Sequence, residues 1–191
     1  MKRWSPVCLL TAVLVCTAVA SATTVIPPTF DELVSQAETI FVGRAVDSRS
    51  EFDVSAGGRS IVTHITFSVE RVLKGRVGPL TELTFQGGTV GDLRMDIADM
   101  PRFQIGDRDV LFVSSEQRTI SPLVGFSYGR FRLVRDSATG GDQVRTHDGR
   151  PIASTAELGR PYSLALQSVR PMLYTEFESA VRSRMNALGV R

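Results

Sequence analysis

Gly125-Phe126-Ser127-Tyr128-Gly129 is the stretch whose residue types come closest to covalent chemistry, since it matches the G-x-S-x-G pattern of a serine nucleophile on a strand-to-helix turn. That chemistry also needs a base and an orienting acid. The downstream choices, Asp136 or Asp142 with His147, crowd into the short stretch just after the serine. The segment that follows, Arg130 to Val134, alternates like a strand rather than a helix. The pattern is therefore read as a turn between strands, and a small hydrolase using Ser127 stays as an alternative. His64 and His147 are the only histidines. Zinc needs three or four ligands, commonly at short spacing, so both are expected as solvated surface residues. Asp92, Asp96 and Asp99 are spaced by four and three, which does not match the alternating oxygen ligands of a calcium loop. No glycine-rich phosphate loop precedes a helix. The expectation is no catalytic residue, no metal ligand and no cofactor.

Binding is the remaining chemistry, and one segment stands out for it. Gly87 to Arg108 is the longest irregular stretch, with several glycines and Pro101. It carries Arg94, Asp96 and Arg102, which look exposed, beside Met95 and Met100. Arginine and methionine are enriched at protein interfaces, and function concentrates on loops held by a rigid scaffold. Arg94, Asp96 and Arg102 are the candidate interface residues. The alternative is a plain lid that covers the mouth of a barrel, with Met95 and Met100 filling irregular gaps.

Lys2-Arg3, the apolar run Val7 to Val19 and Ala20-Ser21-Ala22 make the three regions of a secretory signal peptide. Residues 1–22 are expected to be removed, leaving Thr23 first; cleavage after Ala20 fits nearly as well. A membrane anchor would need about 20 apolar residues, more than this run offers. Both cysteines, Cys8 and Cys16, lie inside the removed segment, so the mature domain, 23–191, is expected to stand without disulfides or thiolate metal sites. Taking Lys2 and Arg3 from the 22 basic residues leaves 20 against 20 acidic ones, formally neutral. A basic nucleic-acid stripe is excluded by that balance. Lys74 is then the one lysine of the mature chain.

The elements that must position the loop are mostly strands. Thr29 and Glu32 make a capping box for a short helix near 29–37. Thr39 to Val46 is apolar on both faces at first, as a buried barrel strand would be. A turn at Gly57-Gly58 leads to the long alternation Ile61, Thr63, Ile65, Phe67, Val69, with Ile65 and Phe67 pointing inward. Further strands are expected around Leu80–Phe85, Val110–Val113, Arg130–Val134 and Gln143–Arg145. Leu173, Phe177, Val181, Met185 and Leu188 recur at helical spacing, with Thr175 and Glu178 as a second capping box and Gly189 as the stop.

Phe30, Ala37-Glu38, Thr39 to Val46, Ile61 to Val72 and above all Val72-Leu73-Lys74-Gly75 follow one another in a familiar order. So does Phe103-Gln104-Ile105-Gly106 running into Asp109-Val110-Leu111-Phe112-Val113. This order resembles the netrin-like domain, the OB-type barrel of the tissue inhibitors of metalloproteinases. Gly87-Gly88-Thr89-Val90-Gly91, Pro101-Arg102-Phe103-Gln104-Ile105-Gly106 and Gly129-Arg130-Phe131-Arg132 are similar to motifs of a set of uncharacterised bacterial exported proteins. The resemblance covers about residues 29–135. It implies a mostly-β fold: a single netrin-like OB-type barrel with a short N-terminal helix and a C-terminal helix. The inhibitors hold the protease zinc with a mature N-terminal cysteine, and this chain would begin at Thr23 or Ser21, so that wedge does not carry over. The expected function is a non-enzymatic binding or protein-interaction module, periplasmic or extracellular, whose partner is another exported protein. A modulator of an exported metalloprotease is the alternative.

Overall fold

The computed structural model describes residues 26–55, 60–114, 120–137, 140–160 and 170–190. The expected signal peptide with Cys8 and Cys16, and the Gly57-Gly58 turn, lie outside the described residues. Helix α1, Phe30–Gln36, starts as its sequence dictates. Glu32 N–H donates to Thr29 Oγ1 (3.3 Å), and Thr29 N–H donates to the Glu32 carboxylate (2.7 Å). It ends where the β-branched run begins. Its orphaned carbonyls find an unusual partner in Lys74, whose buried Nζ donates to Val34 O (2.8 Å) and Ala37 O (2.5 Å).

Strand β1, Ala37–Asp53, pairs with β2, Ser60–Lys74, along nearly its whole length. Then follow β3 (Leu80–Gln86), a small hairpin β4 (Gly88–Val90) and β5 (Leu93–Met95), and β6 (Arg108–Ser114). The chain closes with β7 (Arg130–Arg135), β8 (Asp142–Thr146) and helix α2 (Tyr174–Leu188). The antiparallel main sheet runs β3-β2-β1-β6-β7-β8. After the β1–β2–β3 meander, β6 returns beside β1, the Greek-key order.

The sheet is mostly-β scaffolding as expected, but it is not closed into a barrel. Its two edges are met by irregular segments instead of by each other. Gln86 N–H of β3 donates to Ile120 O (2.9 Å), and Val144 N–H of β8 donates to Met172 O (2.9 Å). The two-sided burial of β1 has a matching cause. Ile40 and Val42 turn to one core, with α1, Phe112, Phe131 and Phe177, Val181 and Met185 of α2. Phe41 and Ala45 turn to a second core on the other face, with Ile65, Phe67, Leu83, Phe85 and Leu111. A barrel strand and a strand sandwiched between helices and loops give the same apolar pattern.

Register shifts bend β1 between Val42 and Gly43 and again between Ala45 and Asp47. Gly43 sits where a Cβ would lie 2.9 Å from the Phe41 ring. On α2, Phe177 packs its ring 5.0 Å from Phe131 and 6.0 Å from Phe30, tying both helices to the sheet. The Thr175–Glu178 box does not form. Leu173 is the cap residue, and its N–H donates to Glu176 (2.8 Å), so the helix starts two residues earlier than the sequence pattern suggested. Glu178 is taken up by Arg182 and Arg71 instead. Gly189, at φ +67°, does end the helix. Among the described residues no helix is long and apolar enough to cross a membrane.

Candidate functional site

The segment Gly87 to Arg108 is not featureless: β4 and β5 pair Gly88 with Met95 and Val90 with Leu93. Strands of three residues are too short to show alternation, so only the turn glycine, Gly91 at φ +57°, marked them. Gly87 and Gly88 let the chain cross over the end of the sheet at close range. At Gly88, a Cβ would lie 2.3 Å from Thr63 Oγ1. Met95 serves as a latch, its sulfur accepting from Ile61 N–H (3.4 Å) and Ser60 Oγ (3.8 Å). Met100 packs against the second core.

The structure brings Arg94, Asp96 and Arg102 together. Arg94 donates twice to Asp96, from Nε (2.7 Å) and Nη2 (3.1 Å), and Arg102 Nη2 donates to Asp96 Oδ1 (2.7 Å). All three side chains are more than half exposed. The Arg94 hydrogen bond holds the Asp96 carboxyl below its ordinary value. Two guanidiniums thus share one carboxylate, leaving one positive charge in excess. Leu93 and Ile105 stand exposed on the same segment.

Beneath this cluster lies the most heavily bonded side chain of the segment's anchor. Arg130, at the start of β7, is 3% exposed and Asp109 is fully buried. Arg130 donates to both Asp109 oxygens (2.9 and 3.0 Å), to Asp107 Oδ2 (2.7 Å) and to the Arg102 carbonyl (2.5 Å). Its guanidinium lies 4.1 Å from the Phe103 ring centre. Phe103 in turn meets Phe67 and Phe85, each at 5.2 Å. Burial pushes the Asp109 carboxyl up against the pull of Arg130. At Asp107 burial works the same way, yet the Gln104 N–H and Arg130 outweigh it and hold that carboxyl low. Reading Arg130 only as part of a strand motif missed this role. The available signal was Asp109, a charge leading directly into the buried run Val110–Val113, which demands a partner.

The G-x-S-x-G stretch is a 3₁₀ turn, Phe126–Gly129, that runs straight into β7. Its glycines have packing reasons. A Cβ on Gly125 would lie 2.8 Å from Pro28, and one on Gly129 would lie 2.7 Å from Val124 O. Ser127 is buried, and its Oγ has no hydrogen-bond partner among the described residues, so no base touches it. Phe126, not Ser127, holds the left-handed conformation, at φ +61°.

Neither histidine is the solvated side chain expected. His64 lies between two carboxylates, Nε2 3.2 Å from Glu51 and Nδ1 3.1 Å from Glu82, with Thr84 Oγ1 2.9 Å away. The cross-strand register that sets Arg49 and Thr84 beside it buries its ring on the outer face. His147 packs edge-on to Tyr128 at 5.0 Å, its Nδ1 is buried without a partner, and burial lowers its pKa. Among the described residues no three His, Cys, Asp or Glu side chains are grouped to hold a metal.

Between the loop and the β1–β2 ribbon lies a cleft of about 350 Å³, rimmed by Arg94 and Arg102, with Ser50 and Thr63 at its floor and Ile65 and Phe85 in its walls. No protein-family model, no curated protein and no solved structure matches this chain.

Proposed function

We propose that the protein is an exported, non-enzymatic binding module that recognises another exported protein through Gly87–Arg108. The observation that carries this reading is the grip of buried Arg130 on the Arg102 carbonyl and the Phe103 ring. A loop held this firmly offers its exposed charges without an ordering cost at binding, which is how preorganised surfaces gain affinity. Exposed Leu93 and Ile105 on the same segment supply the apolar part of an interface. The meander with β6 returning beside β1 supports taking the architecture as an opened relative of the netrin-like OB-type barrel. Export rests on the basic, apolar and small-residue succession of residues 1–22.

A photo-crosslinking residue placed at Leu93 and, separately, at Leu80 tests the surface, since both positions are exposed (60% and 65%) on different parts of the molecule. A discrete adduct with one exported protein from Leu93 and none from Leu80 supports the reading. Equal patterns from both positions contradict it.

A further inference from the structure

The inward face of β2 should be apolar throughout, and at one place it is not. Ile61, Ile65 and Phe67 are buried hydrophobic residues, but Thr63 interrupts them. Its partner across the ladder on β1 is Ser50, and the partner of Ile65 is Ser48. One step further along, Ala45 faces Phe67 in the ordinary apolar way. The hydroxyls begin where the cleft begins. A local break in an otherwise consistent pattern is where function is to be sought.

The hydroxyl protons can be assigned by elimination. Thr63 Oγ1 donates to the Gly87 carbonyl (2.6 Å), so its single proton is used. The 2.8 Å contact with Ser50 therefore has Ser50 as donor. Ser50 Oγ is left with lone pairs only, and it can receive a hydrogen bond but not give one. Above it the cleft walls are Ile65, Phe85, Met100 and Phe103, and at the mouth two guanidiniums share one carboxylate. A volume of about 350 Å³ lies at the small end of ligand pockets.

From the acceptor-only hydroxyl pair Ser50–Thr63, the apolar walls and the cationic mouth, we infer that this cleft binds a small carboxylate with an apolar or aromatic body and a hydroxyl or amine donor at its far end. The carboxylate meets Arg94 and Arg102, the body lies against Phe85 and Phe103, and the donor reaches Ser50. This goes beyond the interface reading and does not rest on it, because Ser50 and Thr63 lie beneath the loop.

The probe is 4-hydroxyphenylacetate, titrated into the 15N-labelled mature protein and followed by amide shifts. Saturable shifts confined to the neighbourhoods of Ser50, Thr63, Phe85 and the loop are expected. Phenylacetate, lacking the donor, and 4-hydroxyphenylethanol, lacking the carboxylate, should each bind about fivefold or more weakly, the size of one lost hydrogen bond. Thr63→Val frees the Ser50 proton and should weaken the hydroxylated probe, while Thr63→Ser should not; Ser50→Ala serves if the valine variant does not fold. Shifts that do not saturate at millimolar probe, or the same affinity for all three compounds, would overturn the assignment. Partner crosslinking from Leu93 is scored separately, so either proposal can fail alone.

Discussion

The Arg130 guanidinium lies face-on to the Phe103 ring at 4.1 Å while it donates to both oxygens of the fully buried Asp109. One side chain thereby joins the loop to the neighbouring strands β6 and β7. Removing one partner of a buried pair leaves an uncompensated charge, so Arg130→Met or Asp109→Leu alone should cost about 3–5 kcal/mol in urea unfolding. The double variant should recover much of that loss. Additive losses would mean that the two residues do not act as a pair.

Lys74 offers a second test. Its Nζ ends α1 by donating to Val34 O and Ala37 O from a buried position, and burial lowers its pKa. Lys74→Met should cost about 1–3 kcal/mol by leaving those carbonyls unsatisfied. Lys74→Arg should not restore the loss, because a planar fork cannot take the place of a compact ammonium. Full rescue by arginine would contradict this account of Lys74.

The register of β2 predicts a contrast between neighbours. Phe67 is fully buried and Ser68 lies on the other face, half-buried. Phe67→Ala should cost about 3–5 kcal/mol, and Ser68→Ala should stay within about 0.5 kcal/mol. Comparable losses at both positions would place the register one residue out.

His147 gives the protein an acid-side instability. Burial holds its folded pKa below the ordinary 6.5, so above that pH both states are neutral and the stabilisation is intact. As the pH falls the unfolded chain takes the proton first, and stability drops until the folded value is passed. Replacement of His147 by Gln should flatten the melting temperature between pH 7 and pH 5 (about the titration range of histidine). An unchanged slope in that variant would place the titration elsewhere.

Much of this fold was legible in the chain because its signals are local. The Thr29–Glu32 box, the long alternation from Ile61 and the Phe177–Val181–Met185 stripe each act within one element, and the elements formed where those patterns stood. What the pattern of β1 could not say is which layer covers each face. Ile40 and Phe41 read alike, although one meets the helices and the other the second core on the opposite face. The open sheet was hidden for the same reason. Of the site, Arg94, Asp96 and Arg102 were recognisable as loop charges, but their sharing of one carboxylate depends on the β4–β5 hairpin folding back. The Arg130 anchor spans distant parts of the sequence, and only the charge at Asp109 hinted at it.

The lid and interface readings of the loop now divide by residue. Met95 and Met100 hold it down, so their change to alanine should lower the melting temperature, whereas Arg94→Ala with Arg102→Ala should leave it unchanged. The most direct measurement is affinity capture of the crosslinked partner from the exported fraction, using wild-type protein and that double arginine variant side by side. The account predicts capture by the wild type and its loss in the variant at an unaltered melting temperature. Undiminished capture by the double variant would contradict it.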